Sequence, residues 1–329
     1  MVMEPGIKLS AAQLSVGFNT NRAITYLFKD VNVSLKAGQL VCLMGPNGVG
    51  KSSLIRTLAG LQKPLAGTVV YSFHGPTAVP KNISVVLTNR IHASMMAEEL
   101  IAYGRYPYVS WNVSLTREDR NQIERAIDRT EIRHLAHRQI SELSDGQMQL
   151  VMIARALAQD TPIILLDEPT AHLDLNNRVH IMRLLRNLCR EMNKAILVST
   201  HELDLALQTA DLIWLSGKDK NILTGVPEDL VLNGLFDEIF QFKGFDLKTG
   251  RIAHEADRKV NVVLTGSGHE YLWTRNALER AGFTVDTAQS QAGQVHVEVT
   301  YEESKPRWVL KKENRLFTLS SIAELIEVI

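Results

Sequence analysis

Apolar and polar positions alternate along Leu9 to Val16 and again along Val31-Asn32-Val33-Ser34-Leu35, the two-residue period of antiparallel strands with one face in water. A different pattern follows. Leu40-Val41-Cys42-Leu43-Met44 is apolar throughout, as a buried strand is, and Leu54-Ile55-Arg56-Thr57-Leu58-Ala59 has helical apolar spacing. Gly67 to Tyr71 and Ile83 to Leu87 predict two more strands. From about Ala97 to Ala136 the pattern predicts helices joined by short loops, clearest at Glu98 to Tyr103 and Arg117 to Ile127, a block inserted into an α/β domain. Met148 to Gln159 is rich in Ala and Leu and predicts a further helix. Pro162-Ile163-Ile164-Leu165-Leu166 and Ala195 to Thr200 read as parallel strands buried on both faces, with a helix from about Asn177 to Met192 between them.

Beyond Gly250 the composition shifts and a second unit begins. It reads as strand Val260 to Thr265, helix Tyr271 to Ala281, strands Phe283 to Asp286 and Val295 to Thr300, a hairpin through Trp308 and Leu316, and helix Ser321 to Val328. A small α/β layer of ferredoxin-like kind is expected. With 329 residues the chain is long enough for two domains, expected at 1–250 and 251–329, with the helical block at about 92–145.

Charge narrows the function classes. Lys plus Arg and Asp plus Glu are both 36, so nothing in the balance points to nucleic acid as a partner. Residues 1–10 show no basic segment followed by an apolar core, and no run approaches the roughly 18 apolar residues that cross a bilayer, so a cytoplasmic location is expected. The two cysteines, Cys42 and Cys189, form neither a disulfide framework nor a metal-ligand spacing. His134 and His137 stand at i, i+3 spacing, but no third ligand lies nearby, and a solvated helix face is expected.

The chemistry concentrates in Gly45-Pro46-Asn47-Gly48-Val49-Gly50-Lys51-Ser52-Ser53, which fits G-x-x-x-x-G-K-[ST] between a strand and a helix. Its glycines let successive backbone N–H groups face phosphate oxygens without Cβ atoms in the way. Lys51 adds a point charge for the β- and γ-phosphates, and Ser52 offers a hydroxyl to Mg²⁺ at a helix N-terminus that itself favours an anion. Asp167 and Glu168 end the strand that runs to Leu166, where α/β folds place ligand chemistry and where burying two carboxylates without a cation is costly. His201 ends the next strand in the same way. Ser144 reads either as a plain helix N-cap or as the start of a second anion site.

Taken in order, these segments resemble the nucleotide-binding subunit of an ATP-binding-cassette (ABC) transporter, over about residues 6–250. The resemblance rests on the phosphate loop, then Leu143-Ser144-Asp145-Gly146-Gln147, Leu165-Leu166-Asp167-Glu168-Pro169-Thr170, Leu173-Asp174 and Ser199-Thr200-His201. It implies a P-loop NTPase fold of mixed sheet core, antiparallel β subdomain and helical subdomain, followed here by the small C-terminal α/β domain. It further implies ATP and Mg²⁺ as ligands. Phe18 would stack on adenine; Gly45 to Ser53 would hold the phosphates; Ser52 and Asp167 would hold the metal. Glu168 would be the general base, and His201 would contact the γ-phosphate beside Lys51. Ser144, Gly146 and Gln147 would cap the ATP of a second copy in a head-to-tail homodimer, and Leu173-Asp174 would touch that copy. The partners implied are integral-membrane permease subunits on the inner face of the membrane and, through them, a substrate-binding protein. Glu99 to Pro107 and Leu173-Asp174-Leu175 look most like importers of iron-siderophores, haem and cobalamin. A non-transport cassette ATPase and an ATP-sensing module are the alternatives.

Two positions depart from the family pattern. Asp145 stands where the signature carries glycine, which adds a carboxylate near a docked triphosphate. Asn89, in Val86-Leu87-Thr88-Asn89-Arg90, stands where the family places a metal-ligating glutamine and is one methylene shorter. In the second unit, Gly266-Ser267-Gly268-His269 reads as an anion cradle or as a tight turn, and the unit itself as regulatory or dimer-stabilising.

Overall fold

The computed structural model describes residues 6–20, 23–73, 82–88, 91, 93–109, 114–242, 245–247, 251–252, 258, 260–286, 295–302, 305–312 and 315–329. The chain forms two compact units, Met1–Gln241 and Phe242–Ile329.

In the first unit, β1 (Ile7–Thr20) and β2 (Ala23–Lys36) pair antiparallel, and β4 (Ala66–Tyr71) joins the other edge of β1. Their alternation turns Leu9, Leu14, Val16, Phe28 and Leu35 into the core, all of them fully buried. A second, six-stranded sheet has the order β5-β6-β7-β3-β8-β9, from β3 (Leu40–Met44), β5 (Ile83–Val86), β6 (Ile163–Asp167), β7 (Ala195–Ser199), β8 (Leu212–Ser216) and β9 (Ile222–Gly225). Every pair in it is parallel except the β8–β9 hairpin. Strands β3, β6 and β7 are buried along their whole length, which is why their sequences run apolar instead of alternating. Each fully buried Leu, Ile or Val there contributes about 1.5–3 kcal/mol.

That strand order positions the chemistry. Since β6, β7 and β3 are adjacent and parallel, their C-terminal ends meet at one edge of the sheet, bringing Asp167, Ser199 and the loop after Met44 together.

The helical block comprises Ala97–Ala102, a 3-10 turn at Tyr103–Tyr108, Arg117–Arg129 and Asp145–Ala158. The last begins three residues before the expected Met148, because Ser144 caps it: its hydroxyl accepts from the Gln147 N–H at 3.3 Å, and Gln147 Oε1 accepts from the Ser144 N–H at 3.1 Å. Likewise Asp174 caps Leu175–Glu191 and starts it ahead of Asn177. Cys42 and Cys189 are buried free thiols.

The second unit contains the short hairpin of β10 (Phe245–Asp246) and β11 (Arg251–Ile252) and a five-stranded sheet. In the sheet, β12 (Asn261–Thr265) lies between β13 (Thr284–Asp286) and β14 (Val295–Glu302) and is parallel to both; β15 (Lys305–Lys312) and β16 (Arg315–Leu319) continue antiparallel. The ferredoxin-like expectation is therefore corrected, since neighbouring strands in that layer all run antiparallel. Here the helix Gly268–Arg280 acts as a crossover and lays β13 directly beside β12. Val262, Leu264, Leu278, Val297, Trp308, Leu310 and Leu325 form its core.

Candidate functional site

The phosphate loop joins β3 to the helix Lys51–Leu58, and its glycines have distinct reasons. Gly50 has φ +109°, and a Cβ on it would stand 2.8 Å from Leu27 Cβ of β2. A Cβ on Gly45 would stand 2.6 Å from Ser216 Cβ at the end of β8. The loop is thus gripped between β2 and β8, while Pro46, Asn47 and Gly48 remain exposed, with Val49 half-buried beside them. Ser52 is exposed at the helix start and Ser53 is half-buried.

Lys51 is 5% exposed. Its Nζ donates to the carbonyls of Gly45 (3.0 Å) and Pro46 (3.2 Å) and lies 3.8 Å from Glu168 Oε1. Burial pushes its ammonium below the ordinary lysine range, opposed by the charges of Glu168 and Asp167. Asp167, 3% exposed, accepts at Oδ1 from Ser199 Oγ (2.7 Å) and at Oδ2 from Thr88 Oγ1 (3.5 Å). Glu168 takes φ +47°, and its N–H donates to Ser199 Oγ (2.9 Å) and Ser199 O (3.1 Å). Its Oε2 is 3.8 Å from His201 Nδ1, whose Nε2 is 3.5 Å from Glu202 Oε1. Arg178 completes this chain, donating to Glu202 Oε2 (2.8 Å) and to the Leu173 carbonyl (2.6 Å).

Lys51, Asp167, Glu168 and His201 therefore share one edge of the sheet. Ser144 and Gln147 instead bond each other at the start of Asp145–Ala158; among the described residues neither hydrogen-bonds the phosphate loop. Gly146 is buried, a Cβ there would meet the Asn177 side chain at 2.9 Å, and Asn177 in turn bonds Asp174. Asp145 opens the helix Asp145–Ala158, where a carboxylate suits the helix dipole. It lines a cleft within this chain together with Thr88, Met148, Glu168 and His172. Phe18 is half-exposed on β1 opposite Thr25, on the same hairpin whose Leu27 packs on Gly50. Asn89 lies outside the described residues.

The donor set fits a phosphate-bound hard cation. No group of three or more His, Cys, Asp or Glu among the described residues could hold a metal alone. One exposed hydroxyl at Ser52 and one braced carboxylate at Asp167 suit an ion that keeps water and phosphate oxygens as its other ligands. His137 is paired with Glu98 at 3.2 Å on an exposed face. In the second unit the Ser267 side chain makes no cap bond, and a Cβ on Gly266 would stand 2.9 Å from Val299 Cβ, so packing and turn geometry account for those glycines. From sequence alone no role is assigned to Thr88, Arg178, Ser199 or Ser216, although Ser199 stands within Ser199-Thr200-His201; at Ser199 and Ser216 a further signal is a polar residue ending an otherwise apolar strand.

Residues 28–171 match the family model described as ABC transporter, and residues 258–329 match one described as Iron ABC transporter C-terminal domain. An uncharacterized ABC transporter ATP-binding protein of Methanocaldococcus jannaschii, MJ0873, is 33% identical over 273 residues, covering 78% of this chain and 92% of that one. The chain belongs to the ABC transporter family. This cassette is also similar to the iron(3+)-hydroxamate import ATP-binding protein FhuC of Bacillus subtilis, 34% identical over 239 residues and covering 71% of this chain and 87% of FhuC. Among solved structures it is similar to the dimeric bacterial ABC transporter cassette MJ0796, with TM-score 0.58 and 28% identity over 67% of this chain and 98% of that one. MJ0796 is also known in a post-hydrolysis state with ADP and Pi. As a cassette of this family the chain is an ATPase. Among its described residues no helix is long and apolar enough to cross a membrane.

Proposed function

We propose that this cassette is the ATP-hydrolysing subunit of an importer for iron-siderophore, haem or cobalamin-type cargo, acting as a head-to-tail pair on the inner face of a membrane beneath its permease. The observation that carries the reading is the division of the site. Lys51, Asp167, Glu168 and His201 converge on one edge, whereas Ser144 and Gln147 cap each other at a helix start that, among the described residues, makes no hydrogen bond to the phosphate loop. Two copies in opposite orientation supply each loop with that helix start. The dimeric form of the similar cassette MJ0796 supports the pairing, and the likeness to FhuC supports the cargo class.

In this reading the amides of Gly45 to Ser53 hold the triphosphate and Phe18 stacks on the base. Lys51 turns from the Gly45 and Pro46 carbonyls to the β- and γ-phosphates. Glu168 accepts a proton from the attacking water as its oxygen bonds to the γ-phosphorus and the bond from that phosphorus to the ADP oxygen breaks. His201 orients the γ-phosphate, with Glu202 and Arg178 bracing the ring. Mg²⁺, held by Ser52 and Asp167 with Asn89 as the third candidate, would neutralise charge on the phosphate oxygens. The second unit adds a regulatory or dimer-stabilising element.

The deciding experiment is Glu168→Gln. General-base loss should slow turnover roughly 10²- to 10⁴-fold while ATP still binds. Light scattering should then show an ATP-dependent dimer. Near-normal turnover would refute the base assignment, and a monomer at saturating ATP would refute the pairing. Unchanged turnover and pairing in a chain ending at Gln241 would remove the role given to the second unit.

A further inference from the structure

Ser199 is fully buried at the end of β7, directly opposite Asp167 in the parallel register with β6. Paired positions of adjacent strands project to the same face of a sheet, so the hydroxyl meets the carboxylate by construction. It also meets the next peptide, because the Glu168 N–H points back across the same gap.

We propose that Ser199 is a positioning residue that aligns both carboxylates through one hydroxyl; this rests on the reading of Asp167 and Glu168 given above. Its single proton goes to Asp167 Oδ1 at 2.7 Å, which leaves an oxygen lone pair to accept the Glu168 N–H at 2.9 Å. The first bond fixes the rotation of the Asp167 carboxylate and turns Oδ2 toward Thr88. The second, with the Ser199 carbonyl at 3.1 Å, holds Glu168 at φ +47°, the left-handed region that residues other than glycine seldom occupy. That backbone setting decides where the Glu168 side chain emerges, here between Lys51 and His201. On its other side β7 pairs with β3 through Leu43 and Ser199, so the hydroxyl sits between the strand that carries the phosphate loop and the strand that carries the carboxylates.

A residue that acts only on carboxylate orientation should change turnover and metal dependence and leave nucleotide binding alone. Ser199→Ala is compared with Ser199→Cys, which keeps the volume but is a weak donor, and with Ser199→Thr, which keeps the hydroxyl. Losing a hydrogen bond to a charged group should lower kcat roughly 10- to 100-fold in both Ala and Cys variants. The Mg²⁺ concentration for half-maximal turnover should rise, while the KM for ATP and the Mg²⁺-free affinity for a fluorescent ATP analogue stay near wild type. Thr should restore most of the lost turnover. Wild-type kcat in Ser199→Cys would show that only volume matters and would overturn the proposal. So would a loss of analogue affinity as large as the loss of kcat. If Glu168→Gln also retains turnover, the reading of the site itself fails; if Glu168→Gln is crippled and Ser199→Ala is not, only the role of Ser199 fails.

Discussion

Asp119→Asn tests the physical basis of the helical block. Arg105 and Asp119 are 6% and 4% exposed, and Arg105 Nε donates to Asp119 Oδ1 at 2.8 Å. Oδ2 accepts from the Thr116 N–H (2.9 Å) and hydroxyl (2.6 Å), and the guanidinium also donates to the Ala158 carbonyl and lies over the Tyr108 ring. One carboxylate thus ties the start of Arg117–Arg129 to the end of Asp145–Ala158. Removing one member of a buried pair leaves an uncompensated charge and costs about 3–5 kcal/mol. Arg105 keeps the Ala158 carbonyl and the ring, which places the estimate near the lower end, about 3 kcal/mol. The assay is the free energy of local opening from amide exchange across residues 117–129. A loss below about 1 kcal/mol, the worth of an exposed pair, would refute the reasoning. Arg105→Met combined with Asp119→Leu should be less damaging than Asp119→Asn alone. The Thr116 hydroxyl and Arg105 hold the Asp119 carboxyl below its ordinary range against the opposing effect of burial. A depressed carboxyl stabilises fully above its unfolded value of 3.8 and ceases to as pH falls through the lower folded value. The difference between wild type and Asp119→Asn should therefore shrink only in that acid window.

Two further outcomes concern the phosphate loop. Gly50→Ala places a Cβ 2.8 Å from Leu27 Cβ at φ +109°; backbone strain alone is about 1–2 kcal/mol, so ATP affinity should fall by roughly tenfold or more, and affinity unchanged in a fluorescent-analogue titration would count against the gripped loop. Because burial lowers the Lys51 pKa below 10.5, its charge is lost earlier than that of an ordinary lysine as pH rises. ATP affinity should weaken in step below pH 10.5, with proton uptake on binding seen by calorimetry in buffers of different ionisation enthalpy; affinity flat to pH 10.5 would contradict it.

Much of the first unit could be read from periodicity because its two burial regimes write different patterns. Strands β1 and β2 have one wet face and alternate; β3, β6 and β7 have none and run apolar. Helix starts were misplaced where caps, not hydrophobic spacing, decide them, as at Ser144 and Asp174. In the second unit the expected strands and helices match the described ones closely, but the ferredoxin-like strand arrangement does not. Strand direction there depends on which neighbour a crossover reaches, and periodicity carries no trace of that.

The site shows the same boundary between local and tertiary information. Lys51, Asp167, Glu168 and His201 could be nominated because each stands at the end of a strand or in the segment after it, and parallel strands in one sheet share an edge. What the nominations lacked was the support. Glu168 stands at φ +47°, a setting that costs about 1–3 kcal/mol where surrounding contacts must enforce it. Glycine would remove that strain, but it would also remove the carboxylate that faces Lys51 and His201. In the proposed mechanism the side chain held at that setting is the general base, and the enforcing contacts come from Ser199, thirty-one residues away along the chain. A strand register, β6 against β7, is what makes those residues neighbours. It follows that the chemistry of this edge can be guessed from its charged residues, whereas its geometry belongs to a buried, neutral hydroxyl.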